Sequence, residues 1–161
     1  MNYFSFMNRF AFFFVFLIAA CNSEKSYLDN SKYEFETITF DVVQKDLVFE
    51  QNLPKNINLL INEWFNQKVK IDGFNGQMIF TITNYNEEIS SINDGKRVDL
   101  SLSFTVILEK INNSQKKIIK GEISSYGTLT GNFSISEFDT LIQNTQSDLI
   151  LRLSRDLKSK I

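Results

Sequence analysis

Val98-Asp99-Leu100-Ser101-Leu102-Ser103-Phe104-Thr105-Val106-Ile107-Leu108 decides the fold. Apolar side chains at Val98, Leu100, Leu102, Phe104, Val106 and Leu108 alternate with Asp99, Ser101, Ser103 and Thr105. A period of two places one set on each face of a β-strand, so one face is dry and the other wet. One-sided burial of this kind is typical of an antiparallel sheet with a layer of structure on a single face.

The neighbouring segments fit that sheet. Asn112-Asn113-Ser114-Gln115 follows as a hairpin loop, and Ile118 to Leu129 returns as a strand weakened by Gly121 and Gly127. Upstream, Asn93-Asp94-Gly95 supplies a turn after a second strand, Met78 to Tyr85, and a polar stretch from Asn86 to Lys96. A first strand is expected from Glu34 onward. There Phe35, Thr37 and Thr39 alternate with Ile38, Phe40 and Val42, with a looser continuation to Phe49.

Two helices complete the pattern. Pro54 opens the first, in the turn where a missing N–H costs nothing. Ile57, Leu60, Ile61, Trp64 and Phe65 then recur at the spacing of one helical face, and Asp72-Gly73 and Asn75-Gly76 end it. The second begins near Ser136, with Asp139 approximating a capping box. It carries Phe138, Leu141, Ile142, Thr145, Leu149, Leu153 and Leu157 on one stripe. Arg152, Arg155, Lys158 and Lys160 crowd its end, where the helix dipole favours cations. The order β-α-β-β-β-α predicts an α+β fold: a two-layer sandwich of a mostly antiparallel sheet with two helices on one face.

The amino terminus sets the compartment. Phe10 to Ala20 is a short apolar run after the single cation Arg9, and Ile18-Ala19-Ala20 leads into Cys21, the chain's only cysteine. Small residues before a cysteine, at the close of a short apolar run, are the lipobox of a bacterial lipoprotein signal. The run is too short for the ~20 residues of a membrane span. An ordinary cleaved signal peptide would leave an odd unpaired thiol in an exported protein, which lipidation explains. The organisation expected is a lipoprotein signal peptide over 1–20, a lipidated tether over 21–33 and a single α+β domain over 34–161. Met7 is an alternative start. Acyl chains such as palmitate on Cys21 would make the membrane itself a partner. Asn22, in place of the aspartate of the common inner-membrane retention rule, favours an outer-membrane anchor facing the periplasm, with the inner membrane as the alternative.

Composition narrows the chemistry. The formal net charge is −2, and removing Arg9 with the leader makes the mature chain more acidic, so nucleic acid is not an expected partner. Histidine is absent, which removes the commonest general base and metal ligand. No GxSxG, P-loop, GxGxxG or HExxH pattern occurs. No catalytic residue, cofactor or metal site is expected; Cys21 is the single site residue, as a lipidation site. Weaker candidates read better as structure. Glu87, Glu88 and Asp94 fit a solvated loop, Trp64 a core anchor, and Lys116, Lys117 and Lys120 a charged hairpin tip. Tyr126 and Phe133 could line an exposed patch. The small polar face of Ser101, Ser103 and Thr105 could meet another protein.

The lipobox, the Trp64-bearing helix, Gly76 leading into Phe80-Thr81-Ile82, Val98-Asp99-Leu100-Ser101-Leu102 and the basic C-terminal helix together resemble a group of uncharacterised Gram-negative lipoproteins. The element order is similar to that of the LPS-assembly lipoprotein family, whose α+β domain sits inside an outer-membrane β-barrel partner. The resemblance spans roughly residues 34–160 as pattern. It implies a non-enzymatic envelope accessory or binding partner in envelope assembly, with an envelope protein partner and no lipopolysaccharide-binding residues assignable here. Two other classes stay open: an auxiliary transport module that binds a lipid or other amphiphile, and a hydrolase built from acidic residues.

Overall fold

The computed structural model describes residues 34–110 and 115–161. The expected signal peptide, Cys21, the tether and the loop residues Asn112, Asn113 and Ser114 lie outside them. The elements are β1 (Ile38–Phe40), β2 (Gln44–Phe49), α1 (Lys55–Lys68), β3 (Val69–Ile71), β4 (Gln77–Ile92), β5 (Gly95–Lys110), β6 (Gln115–Thr130) and α2 (Ile135–Lys160). The α+β expectation holds, with a mostly antiparallel main sheet of order β2-β4-β5-β6.

The three long strands form the frame. β4 and β5 pair antiparallel from Gln77↔Glu109 to Ile92↔Gly95, joined by the two-residue turn Asn93-Asp94. β5 and β6 pair antiparallel from Gly95↔Thr130 to Lys110↔Gln115. The polar stretch expected as a loop after Tyr85 is strand as far as Ile92. Extending β4 alongside β5 satisfies backbone groups that a buried loop would leave unpaired. The register slips between Ile82 and Asn84, a bulge that leaves Thr83 as the extra residue.

The first expected strand is two strands in two sheets. β2 pairs parallel with β4, whereas β1 pairs parallel with β3 in a separate two-stranded sheet. The chain changes sheet over 41–43, where Val43 N–H donates to Gly76 O (3.1 Å) and Asp72 N–H to Phe40 O (2.9 Å). Gly76 has φ of +98°, and a Cβ there would lie 2.4 Å from Glu109 O, so only glycine suits this turn into β4.

The helices cover one face of the main sheet. Ile57, Leu60, Ile61, Trp64 and Phe65 are the buried residues of α1, the stripe read from the sequence. Pro54 is the residue immediately before the helix. The box at the start of α2 is formed by Ser134 and Glu137, two residues before the expected Ser136 and Asp139. Thr145, Leu149, Leu153 and Leu157 are buried as expected, joined by Gln146, Ile150, Leu151 and Ser154. Between the layers, the Phe80 and Phe104 rings stack at 5.5 Å, and Trp64 meets Phe80 edge-on at 5.7 Å. Among the described residues no helix is long and apolar enough to cross a membrane.

Candidate interaction surface

The bare face of the sheet follows from register. Cross-strand rows run Thr81–Thr105–Lys120, Asn84–Ser103–Glu122, Asn86–Ser101–Ser124 and Glu88–Asp99–Tyr126. Val98, Leu100, Leu102, Phe104 and Val106 face the helices and are buried, so the residues between them face away. Ser101, Ser103 and Thr105 therefore stand together on this face, half-exposed and flanked by Asn84, Asn86 and Ser124. Short side chains leave the surface flat and hydrogen-bonding. One apolar row, Ile79–Ile107–Ile118, crosses it toward the β5–β6 loop end, and Ile118 is exposed.

Charge on this face is organised in pairs. Arg97 forks onto Asp99, Nε to Oδ2 at 2.7 Å and Nη2 to Oδ1 at 2.6 Å, with its guanidinium 4.5 Å from the centre of the Tyr126 ring. Hydrogen bonding and charge from Arg97 hold the Asp99 carboxyl below the usual carboxylate range. Lys116 Nζ reaches Glu109 at 2.9 Å, and Gln77 Nε2 donates to the same carboxylate at 3.2 Å; both lower its pKa. Tyr126, one of the two aromatics singled out from sequence, is exposed on this face, whereas Phe133 packs on Phe138 at 6.1 Å.

The other candidates fall apart spatially. Glu87 and Glu88 project to opposite faces, since Glu87 accepts from Tyr85 Oη at 2.7 Å on the helix side while Glu88 lies opposite Asp99 on the bare one. Among the described residues no group of three or more His, Cys, Asp or Glu could hold a metal ion. Trp64 is a core residue with no exposed surface, and its indole N–H has no acceptor among the described residues. Lys117 donates to the carbonyl oxygens of Lys160 and Ile161 (3.2 Å each), pinning the end of α2 rather than presenting a free tip.

Two features were not read from the sequence. Under α2 lies a buried polar patch in which Ser125 Oγ donates to Asp148 at 2.6 Å, and Asp148 also accepts from Arg152 at 2.7 Å. Burial, followed by Glu87, pushes the Tyr85 hydroxyl far above its ordinary pKa, so it stays a donor. A cavity of about 290 Å³ sits beside the end of α2, lined by Glu34, Glu36, Leu151, Ser154, Arg155 and Lys158 among others. Glu36 and Lys158 form an ion pair at its edge. The Ser125–Asp148 and Glu36–Lys158 contacts join residues far apart in sequence, which a linear pattern does not reveal.

No family model and no curated protein matches the chain. Solved structures do. A minor lipoprotein from Acinetobacter baumannii superposes with a TM-score of 0.50 at 12% identity, over 73% of this chain and 93% of that one. Rare lipoprotein B from Shewanella oneidensis is similar with a TM-score of 0.44 at 16% identity, over 73% of this chain and 92% of that one. At such identities the likeness is one of fold alone, and the chain shares its fold with the Acinetobacter lipoprotein.

Proposed function

We propose that this chain is a lipid-anchored, non-enzymatic envelope lipoprotein, held to the outer membrane through Cys21 and acting as an accessory to a protein partner in envelope assembly, with lipopolysaccharide assembly as the closest setting. The observation that carries the reading is the bare sheet face, with the rows around Ser101 and Ser103 flat, polar and covered by no other described element. Its fold likeness and the lipobox Ile18-Ala19-Ala20-Cys21 support the same setting. A periplasm-facing domain on a tether can present such a face to a membrane protein. The alternative, an amphiphile-binding module, needs a cavity between sheet and helices, and Trp64, Phe80 and Phe104 fill that layer.

The test is site-specific photo-crosslinking in intact cells, with the crosslinker at Ser103 or Ser124, followed by detergent extraction. A discrete adduct with one envelope protein is expected from both positions, and none from the exposed α2 position Arg155. Equal, diffuse labelling from all three positions would sink the reading. Intact mass of the native product tests the anchor separately: a diacylglyceryl thioether on Cys21 is expected, and an unmodified thiol overturns it.

A further inference from the structure

One end of the domain combines an exposed aromatic with several lysines. The turn from β3 into β4 carries Phe74, whose side chain is fully exposed at 102%. Val43 and Ile71, also exposed, belong to the same end, since Val43 bonds to Gly76 and Ile71 pairs with Phe40 beside Asp72. Lys68 and Lys70 lie on the segments that meet there, with Lys110 paired to Asp41 and Lys116 to Glu109 beside them, and Asp72 as the further acid. The far end reverses the balance: Glu87, Glu88, Asp94, Asp99 and Glu137 outnumber Lys96 and Arg97. A net-acidic domain therefore has a polarised charge, with its less acidic pole where the most exposed aromatic among the described residues sits.

We infer that the Phe74 end docks on an anionic lipid surface, with the phenyl ring at the headgroup level and the lysines against phosphates. Exposed aromatics beside lysines are what an interfacial contact requires: apolar surface to bury and charge to attract anionic headgroups. The chain outside the described residues agrees. Glu34 and Glu36 run beside the last turns of α2, in the same half of the domain as this end. From Cys21 to Glu34 the backbone reaches at most about 45 Å fully extended, which lets the Phe74 end meet the bilayer in which the acyl chains sit. This orientation rests on the Cys21 anchor, whereas the affinity of the Phe74 end for lipid does not. It leaves the bare sheet face free for a protein partner.

The test is an F74W variant of the full chain, processed in a Gram-negative host and reconstituted in phosphatidylethanolamine–phosphatidylglycerol vesicles. The parent protein, with only the core indole of Trp64, is the blank. The new indole should emit to the blue of its position in detergent and be quenched by lipids brominated near the headgroup. Vesicles of phosphatidylcholine alone should give less quenching, and adding Lys70→Glu with Lys68→Glu should weaken it in anionic vesicles by on the order of tenfold or more. Water-like emission and no quenching in anionic vesicles overturns the proposal. So does an F74W indole that becomes shielded only when a co-extracted protein is present. The intact mass of the same preparation reports the anchor independently: quenching with an unmodified Cys21 keeps the docking and removes the anchor.

Discussion

Gly121 on β6 lies directly opposite Phe104 on β5, and the aromatic ring occupies the space where a side chain at position 121 would stand. A Cβ there would be 2.4 Å from Phe104 Cε1 and Cζ and 2.6 Å from Asp156 Oδ2. The ring fills the groove left by glycine and reaches back to stack on Phe80. Glycine inside a strand otherwise weakens it, so its presence marks this close approach. Gly121→Ala should therefore destabilise the domain by about 1–3 kcal/mol through overpacking. Adding Phe104→Leu should recover part of that loss in urea unfolding. A neutral Gly121→Ala would show that the ring swings aside freely.

The start of α2 offers a local test. Ser134 Oγ accepts from Glu137 N–H at 3.2 Å, while the Glu137 carboxylate accepts from Ser134 N–H at 2.7 Å. Ser134→Ala should cost about 1 kcal/mol. Ser136→Ala, the position suggested by sequence, should cost less, because the hydroxyl of Ser136 is outside the box. Thermal midpoints of the two variants compare them directly, and equal losses would contradict the assignment.

Acid sensitivity has an identifiable source. Arg97 lowers the pKa of Asp99, Lys116 that of Glu109, and Ser134, through its backbone N–H first, that of Glu137. A carboxyl with a depressed folded-state pKa contributes stability above its unfolded value, and that stability is lost as pH falls through the folded value. The urea midpoint should thus decline below the ordinary carboxylate range near pH ~4. Asp99→Asn should flatten that decline slightly and lower the neutral-pH midpoint by a matching small amount, since the pair is exposed. An acid limb as steep as the parent's would rule Asp99 out as a contributor.

Much of this architecture was readable because its signals are periodic. The α1 stripe from Ile57 to Phe65 and the β5 alternation from Val98 to Val106 are buried as their spacing requires. The break between β1 and β2 was missed, though a trace of it exists: buried residues fall at Ile38, Phe40 and Val42, then shift phase to half-buried Leu47 and Phe49. A change of phase marks a chain leaving one sheet for another, but a single Asp41-Val42-Val43 step is too short to announce it. The length of β4 was hidden for another reason. Beyond Tyr85 its helix-side residues are Glu87, Ile89 and Ser91, and only backbone pairing with β5 makes them strand. On the bare face, the run Ser101-Ser103-Thr105 was visible, whereas its neighbours Asn84, Asn86 and Ser124 arrive through register.

Lys45 links β2 to the end of α1, and removing its charge should be felt by that helix. Its Nζ donates to Phe65 O at 2.8 Å and to Val69 O, and sits 4.6 Å from the centre of the Phe65 ring. The last carbonyls of a helix have no partner within it and carry partial negative charge, so an ammonium placed there satisfies both demands. Burial, with Lys70 second, lowers the Lys45 pKa, which is the cost of holding the charge inward. Lys45→Met keeps the aliphatic stem and deletes the donor. Hydrogen bonds from charged groups contribute about 1.5–3 kcal/mol, so a loss of that order is expected, with earlier amide exchange over the last turn of α1. Lys45→Arg should restore most of it by reaching the same carbonyls. Full stability in Lys45→Met would mean that water caps this helix as well as the lysine does.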